Sequence, residues 1–132
     1  MTAYSLAARP VHLGLGAKAV VQPEMTGAMA WYADYEQRAA ADGIEGRLVT
    51  QFTFDEPWTM WEMHPAGDEM VLCIAGRITL HQEQADGTVT VLELGPGDYA
   101  INPPGVWHTA DVDGTATVLF ITAGVGTEHR AR

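Results

Sequence analysis

The stretch Gly97-Asp-Tyr-Ala-Ile-Asn-Pro-Pro-Gly-Val-Trp-His108 decides how this chain is read, together with Glu62-Met-His-Pro-Ala-Gly-Asp-Glu69 and the Gly76 that follows after six intervening residues. Each stretch sets polar groups on a short extended run beside a tight reversal. Residues two apart on a strand share a face, so Glu62 and His64 project into the same space. The reversal Pro65-Ala-Gly67-Asp68 brings Glu69 back on the neighbouring strand, and Pro103-Pro-Gly105 aims the run carrying His108 at the same interior. Two imidazoles and two carboxylates placed this way are the groups that hold a divalent metal with open coordination positions. No other part of the chain offers comparable chemistry.

Outward from these stretches, the chain from Arg47 onward reads as short strands separated by turn signals. The segments are Leu48–Phe54, Trp58–His64, Glu69–Ile74, Ile78–Gln82, Val89–Leu94, Tyr99–Ile101, Val106–Asp111 and Ala116–Thr122. Asp55-Glu-Pro57, Ala75-Gly76, Gly95-Pro-Gly97 and Asp113-Gly114 punctuate them, and Asp86-Gly87 between two alternating runs is the best hairpin signal. Many short strands at this spacing predict an all-β sandwich or barrel.

The first 47 residues differ in character. Residues 9–24 have short apolar pieces broken by Gly14, Gly16 and Pro23, which suits one or two short strands or an extended arm. Thr26 is a candidate N-cap for a helix over 28–41, with Trp31, Tyr35 and Ala39 as an apolar stripe, Met29 and Tyr32 beside it, and Gly43 as the stop. The tail 123–132 is expected to be mobile, and His12, His81 and His129, which lie in no motif, are expected at the surface.

A length of 132 residues predicts one domain. The net charge of −10 argues against nucleic-acid partners, which need a basic face. No apolar run is long enough to span a membrane, and the N-terminus lacks the apolar segment of a signal peptide. The single Cys73 lies in the apolar run Met70–Ala75 and reads as a packed thiol in a cytoplasmic protein.

The two opening stretches resemble the two conserved motifs of the cupin superfamily. The first family motif is Gly, five residues, His-x-His, three or four residues, Glu, six residues, Gly. Here position 56 is Glu in place of that first Gly, Glu62 stands at the first His, and His64, Glu69 and Gly76 match the rest. The second motif is matched by Gly97, Pro103, Gly105 and His108, with Val112 where the family has Asn. Over residues 48–122 the resemblance implies a jelly-roll barrel (a double-stranded β-helix) with a metal at its mouth, preceded by an N-terminal extension containing one helix. Most members bind the metal through three His and one Glu; carried over by position, the ligands become Glu62, His64, Glu69 and His108.

Strand parity suggests a pocket wall from Met60, Val71, Cys73, Ile101, Ala110, Val118 and Phe120, with the inward parity after each turn open by one register. Glu62 has three readings: a ligand, a nearby base or outer acceptor, or a solvent-facing residue. With Glu62 included, the set favours Fe, Zn or Mn over copper. The expected function is a metal-dependent enzyme of dioxygenase, isomerase or cyclase type, acting on a small organic or aromatic carbonyl or phenolic compound, with Glu62 the catalytic base if unligated. The other reading is a non-catalytic, metal-containing module that binds or senses a small ligand. A homodimer paired through an edge strand from residues 9–24 is expected in either case.

Overall fold

A computed structural model describes residues 2–132. Nine strands lie in one connected sheet: β1 (Val11–Gly14), β2 (Lys18–Val21), β3 (Arg47–Phe54), β4 (Met60–Met63), β5 (Glu69–Glu83), β6 (Val89–Leu94), β7 (Tyr99–Asn102), β8 (Trp107–Thr122) and β9 (Glu128–Ala131). Among the described residues a single α-helix, α1 (Met29–Ala39), separates β2 from β3 and runs into a 3-10 turn at Ala40–Glu45. The all-β expectation holds. No helix among the described residues is long and apolar enough to cross a membrane.

β8 organises the sheet. It pairs with β5 along its whole length, with β3 through its C-terminal half, and with β4 at the single register pair Glu62 and His108. Strands β5 and β8 are much longer than the sequence suggested, because two expected turns are bends inside continuous strands. At the first, Gly76 has φ +72°, and a Cβ there would sit 1.9 Å from the carbonyl oxygen of Thr115. Only glycine fits such an approach, and the register shifts around it let β5 bend without losing its partner. Gly114, φ +80°, marks the matching bend in β8. Asp86-Gly87 does close a hairpin, between β5 and β6: Gly87 has φ +84°, and Asp86 Oδ1 accepts from the Thr88 amide at 2.9 Å.

The core inside the curled sheet is apolar, with Val71, Cys73, Ile78, Leu80, Ala110, Val112, Val118 and Phe120 buried together. Phe52, Phe54 and Trp58 pack against it from one end. Val71, Cys73, Ala110, Val118 and Phe120, named above as candidate wall residues, lie buried within this core. Met60 and Ile101 do not; both side chains are exposed. On β7 the parity is the reverse of that expected: Ala100 and Asn102 face in while Tyr99 and Ile101 face out. The cause is register, since Asn102 pairs with Glu69 and opposed residues share a face.

Three further expectations are corrected at the two ends of the chain. The tail is not loose: β9 pairs with β4 from Met60↔Ala131 to Met63↔Glu128. The helix starts one residue later than expected, with Ala28 as its cap, while Thr26 Oγ1 instead accepts from the Ala28 amide at 3.2 Å. Its buried face is narrow, because Trp31 is buried but Met29 and Tyr32 are exposed. His12, expected at the surface, is buried between two partners, Tyr35 Oη at 2.7 Å and Asp42 Oδ2 at 2.6 Å. Lys18 Nζ lies 3.1 Å from the same Asp42 oxygen. Every polar atom of this His12 network has a partner, which makes it a lock joining β1, α1 and the 3-10 turn.

Candidate metal centre

Three strands carry the ring of polar groups the sequence singled out. Glu62 comes from β4, His64 from just beyond it, Glu69 opens β5 and His108 is the second residue of β8. The core-facing members are almost sealed: His108 is 0%, Glu69 3% and His64 5% exposed. Glu62 is the open side, with its side chain 32% exposed.

The distances are those of groups sharing one centre. Glu69 Oε2 lies 3.1 Å from His64 Nε2, and Glu69 Oε1 lies 3.2 Å from His108 Nε2. Glu62 Oε2 stands further out, 4.0 Å from His64 Nε2 and 3.8 Å from His108 Nε2. Ligand atoms of Glu62, His64 and His108 all fall within 4.8 Å of one another. Ligands each about 2.0–2.2 Å from one ion are separated by roughly 3–3.5 Å. Each imidazole stands at that spacing from a different oxygen of Glu69, while the single Glu62 Oε2 lies 3.8–4.0 Å from both Nε2 atoms.

Tautomers decide what these atoms can do. Thr127 Oγ1 donates to Gly124 O at 2.8 Å, so toward His64 Nδ1, 2.7 Å away, it accepts. His108 Nδ1 faces only the carbonyl of Val106, at 3.3 Å. Both rings therefore carry their proton on Nδ1 when neutral and turn an Nε2 lone pair inward. A carboxylate only accepts, so two lone pairs and two carboxylates converge with no donor among them. Accordingly, neither buried Nε2 has a hydrogen-bond partner despite its close Glu69 oxygen. Such a cluster is relieved by a positive charge at its centre, either a proton on an Nε2 facing Glu69 or a divalent metal, which fits the donor set.

Glu69 is held as an anion from outside the ring. Asn102 Nδ2 donates to Oε1 at 3.0 Å and Thr122 Oγ1 to Oε2 at 2.6 Å. Asn102 is itself oriented, because Gln82 Nε2 donates to its Oδ1 at 2.8 Å. Burial raises the Glu69 pKa, but His108 and His64 outweigh it and hold the carboxyl well below the usual range. Burial lowers that of His64, while Glu69 and then Glu62 raise it, for a net upward shift. Partial desolvation of the Tyr32 phenol, on a residue otherwise open to solvent, pushes it up to about 12 with help from the Glu62 charge.

Sequence reading missed Asn102, Thr122, Thr127 and His129. The first two follow once register is known, since Glu69 lies between Asn102 on β7 and Thr122 on β8. Thr127 and His129 belong to the segment read as a tail, and no local motif marks them. His129 Nε2 lies 3.0 Å from Glu62 Oε1. Beside His108, the Trp58 indole lies edge to face at 6.4 Å, and its buried Nε1–H has no partner.

A jelly-roll sheet with such a ring at one end defines a recognisable class. The Cupin domain family model matches residues 53–124, more than half of the chain, and the chain belongs to that family. Among solved structures it is similar to peruvianin-I, a cysteine peptidase from Thevetia peruviana latex, with TM-score 0.55 and 24% identity over 64% of this chain and 56% of that one. It is similar to an oxalate decarboxylase, with TM-score 0.55 and 18% identity over 73% of this chain and 26% of that one. A cupin-2 domain protein from Shewanella frigidimarina gives TM-score 0.50 and 16% identity over 58% of this chain and 69% of that one. At these identities the likeness is one of fold. The chain spans little more than half of peruvianin-I and about a quarter of the decarboxylase. No curated protein matches.

Proposed function

We propose that this chain is a metal-dependent enzyme acting on a small organic or aromatic carbonyl or phenolic compound. One observation carries the reading: two buried imidazole lone pairs and two carboxylates converge without a single donor between them. His64, His108 and Glu69 are the inner ligands and Glu62 the outer one, around Fe, Zn or Mn. When bound, such an ion supplies Lewis acidity, and iron adds redox chemistry, toward oxygens of a substrate.

The chain's own groups have distinct tasks. Glu69, fixed by Asn102 and Thr122, holds negative charge at the sealed side. Glu62 stands at the open side with Oε2 displaced from the ring, so it is the group placed to take a proton from an arriving hydroxyl or activated carbon. Phe54, Trp58 and Phe120 are in mutual aromatic contact beside His108 and would exclude water from a planar ligand. The unpartnered Trp58 Nε1–H supports a ligand that carries an acceptor oxygen.

Metal analysis of the purified protein, followed by oxygen uptake and product analysis with catechols and diketones on the iron form, tests the reading. Bound metal with conversion supports the enzyme. Bound metal and tight ligand binding without conversion would make the chain a sensor or carrier, and a protein that takes up no metal would overturn the proposal. We also propose a homodimer through β2, which among the described residues pairs only with β1 and exposes Val20 and Val21. Sedimentation as a monomer would reject it.

A further inference from the structure

We propose that the C-terminal strand is a working part of the metal centre, with Thr127 and His129 as positioning residues for two of its ligands. This rests on the reading that the ring binds a metal. Thr127 fixes the His64 ring: its hydroxyl donates to Gly124 O, which leaves only its lone pairs for His64 Nδ1 and so dictates an Nε2 lone pair facing the metal. His129 fixes Glu62. The two are register partners across β4 and β9, while Glu62 is also paired with His108 across β4 and β8. His108, Glu62 and His129 therefore form one row over three strands. Within that row Glu62 divides its oxygens, Oε1 to His129 at 3.0 Å and Oε2 toward the two Nε2 atoms.

The strand is anchored in a way that makes this support rigid. The Arg130 guanidinium lies over the Trp61 ring at 5.1 Å and the Trp107 ring at 4.6 Å, and it pairs with Glu83. Trp61 and Trp107 are the chain neighbours of Glu62 and His108, so the clamp grips the two strands that carry those ligands. Arg132 Nη1 adds bonds to Trp58 O at 3.0 Å and Asp111 Oδ1 at 2.8 Å. The four positions carried over from the family motifs thus describe an incomplete site, because the groups that aim two of them come from residues 127–129.

Four variants test this: Thr127→Val against Thr127→Ser, and His129→Ala against His129→Gln, since Ser keeps the hydroxyl and Gln keeps an N–H. Cobalt(II) affinity is measured by competition with a chromophoric chelator, and the His64 tautomer by proton–nitrogen NMR of the imidazoles. Val and Ala should weaken cobalt binding about 10- to 100-fold, with Ser and Gln close to the parent, and Val should move the His64 proton off Nδ1. A purely structural role for the strand would leave that tautomer unchanged. The His129 side chain is 46% exposed, so its variants carry the test if Thr127→Val does not fold. Unchanged affinity in His129→Ala, or His64 still protonated on Nδ1 in Thr127→Val, overturns the proposal. A parent protein that takes up no cobalt sinks the metal reading instead, and the tautomer then decides the role of Thr127 alone.

Discussion

Replacing Thr122 by Val removes one hydroxyl and keeps the side-chain shape. That hydroxyl makes the shortest bond received by Glu69, 2.6 Å to Oε2. The carboxylate is 3% exposed, so no water takes the vacated place. Losing a buried hydrogen bond to a charged group costs about 1.5–3 kcal/mol. Unfolding 132 residues at about 2.1 cal/mol/K per residue has an entropy near ~0.28 kcal/mol/K. A loss of about 2 kcal/mol therefore lowers the melting temperature by roughly 7 °C. The assay is thermal unfolding in chelator at neutral pH, repeated with saturating zinc. Zinc should narrow the deficit, because the ion then neutralises Glu69 directly. A chelated variant melting within about a degree of the parent would refute the reasoning, since it would mean that Glu69 does not depend on Thr122 as a buried anion.

His108→Ala removes a donor that no other buried side chain can replace, and metal content measured after dialysis should fall to background. Glu62→Gln should keep the metal, with affinity reduced about 10- to 100-fold at most, while turnover is lost; by calorimetry it should also gain affinity for oxalate relative to catechol. Loss of metal from that variant would make Glu62 an obligatory ligand. In the N-terminal lock the His12 hydrogen bond holds the Asp42 carboxyl below its ordinary 3.8, against burial and with help from Lys18. A depressed carboxyl contributes stability above its unfolded pKa and loses it as pH falls through the folded one. The contacts of α1 should therefore loosen below about pH 3.8, seen as loss of Trp31–Tyr35 stacking in near-UV dichroism, and Asp42→Asn should abolish that acid transition.

What the sequence made legible was whatever short-range chemistry fixes. Pro103-Pro-Gly105 can only reverse the chain, and Asp86-Gly87 can only close a tight hairpin, so the all-β class and the position of His108 follow from a few residues. The length of β5 and β8 did not, because a glycine with positive φ looks the same in sequence whether the strands part there or stay paired. Gly76 bends a strand that keeps its partner, and the deciding atom, the Thr115 carbonyl, lies on another strand. Ile101 and Asn102 exchanged roles for a similar reason: alternation shows that two faces exist, and only pairing with Glu69 says which one is inside. The last strand was illegible because Glu128–Ala131 has no apolar alternation. It is held by Arg130 between two tryptophans, a contact between residues far apart in the chain.

The glutamate at position 62 gives the site its particular electrostatics. A divalent ion with two neutral imidazoles and two carboxylates has a formal charge of zero, whereas three imidazoles and one carboxylate leave a charge of +1. Relative to a neutral side chain at position 62, Glu62 disfavours an incoming anion about 4 Å away by about 4 kcal/mol at an effective dielectric constant near 20, and the Glu62→Gln variant lifts that difference. That is close to a thousandfold in affinity, at about 1.4 kcal/mol per decade. A small carboxylate is therefore disfavoured at this ring relative to one built with the third histidine. A phenol or an enolisable carbonyl escapes the penalty, because it arrives neutral and can leave its proton on the same carboxylate that would repel an anion. On the proposed function, the exchange of His for Glu and the exposure of that one side chain both favour neutral substrates that become anions only where Glu62 takes the proton.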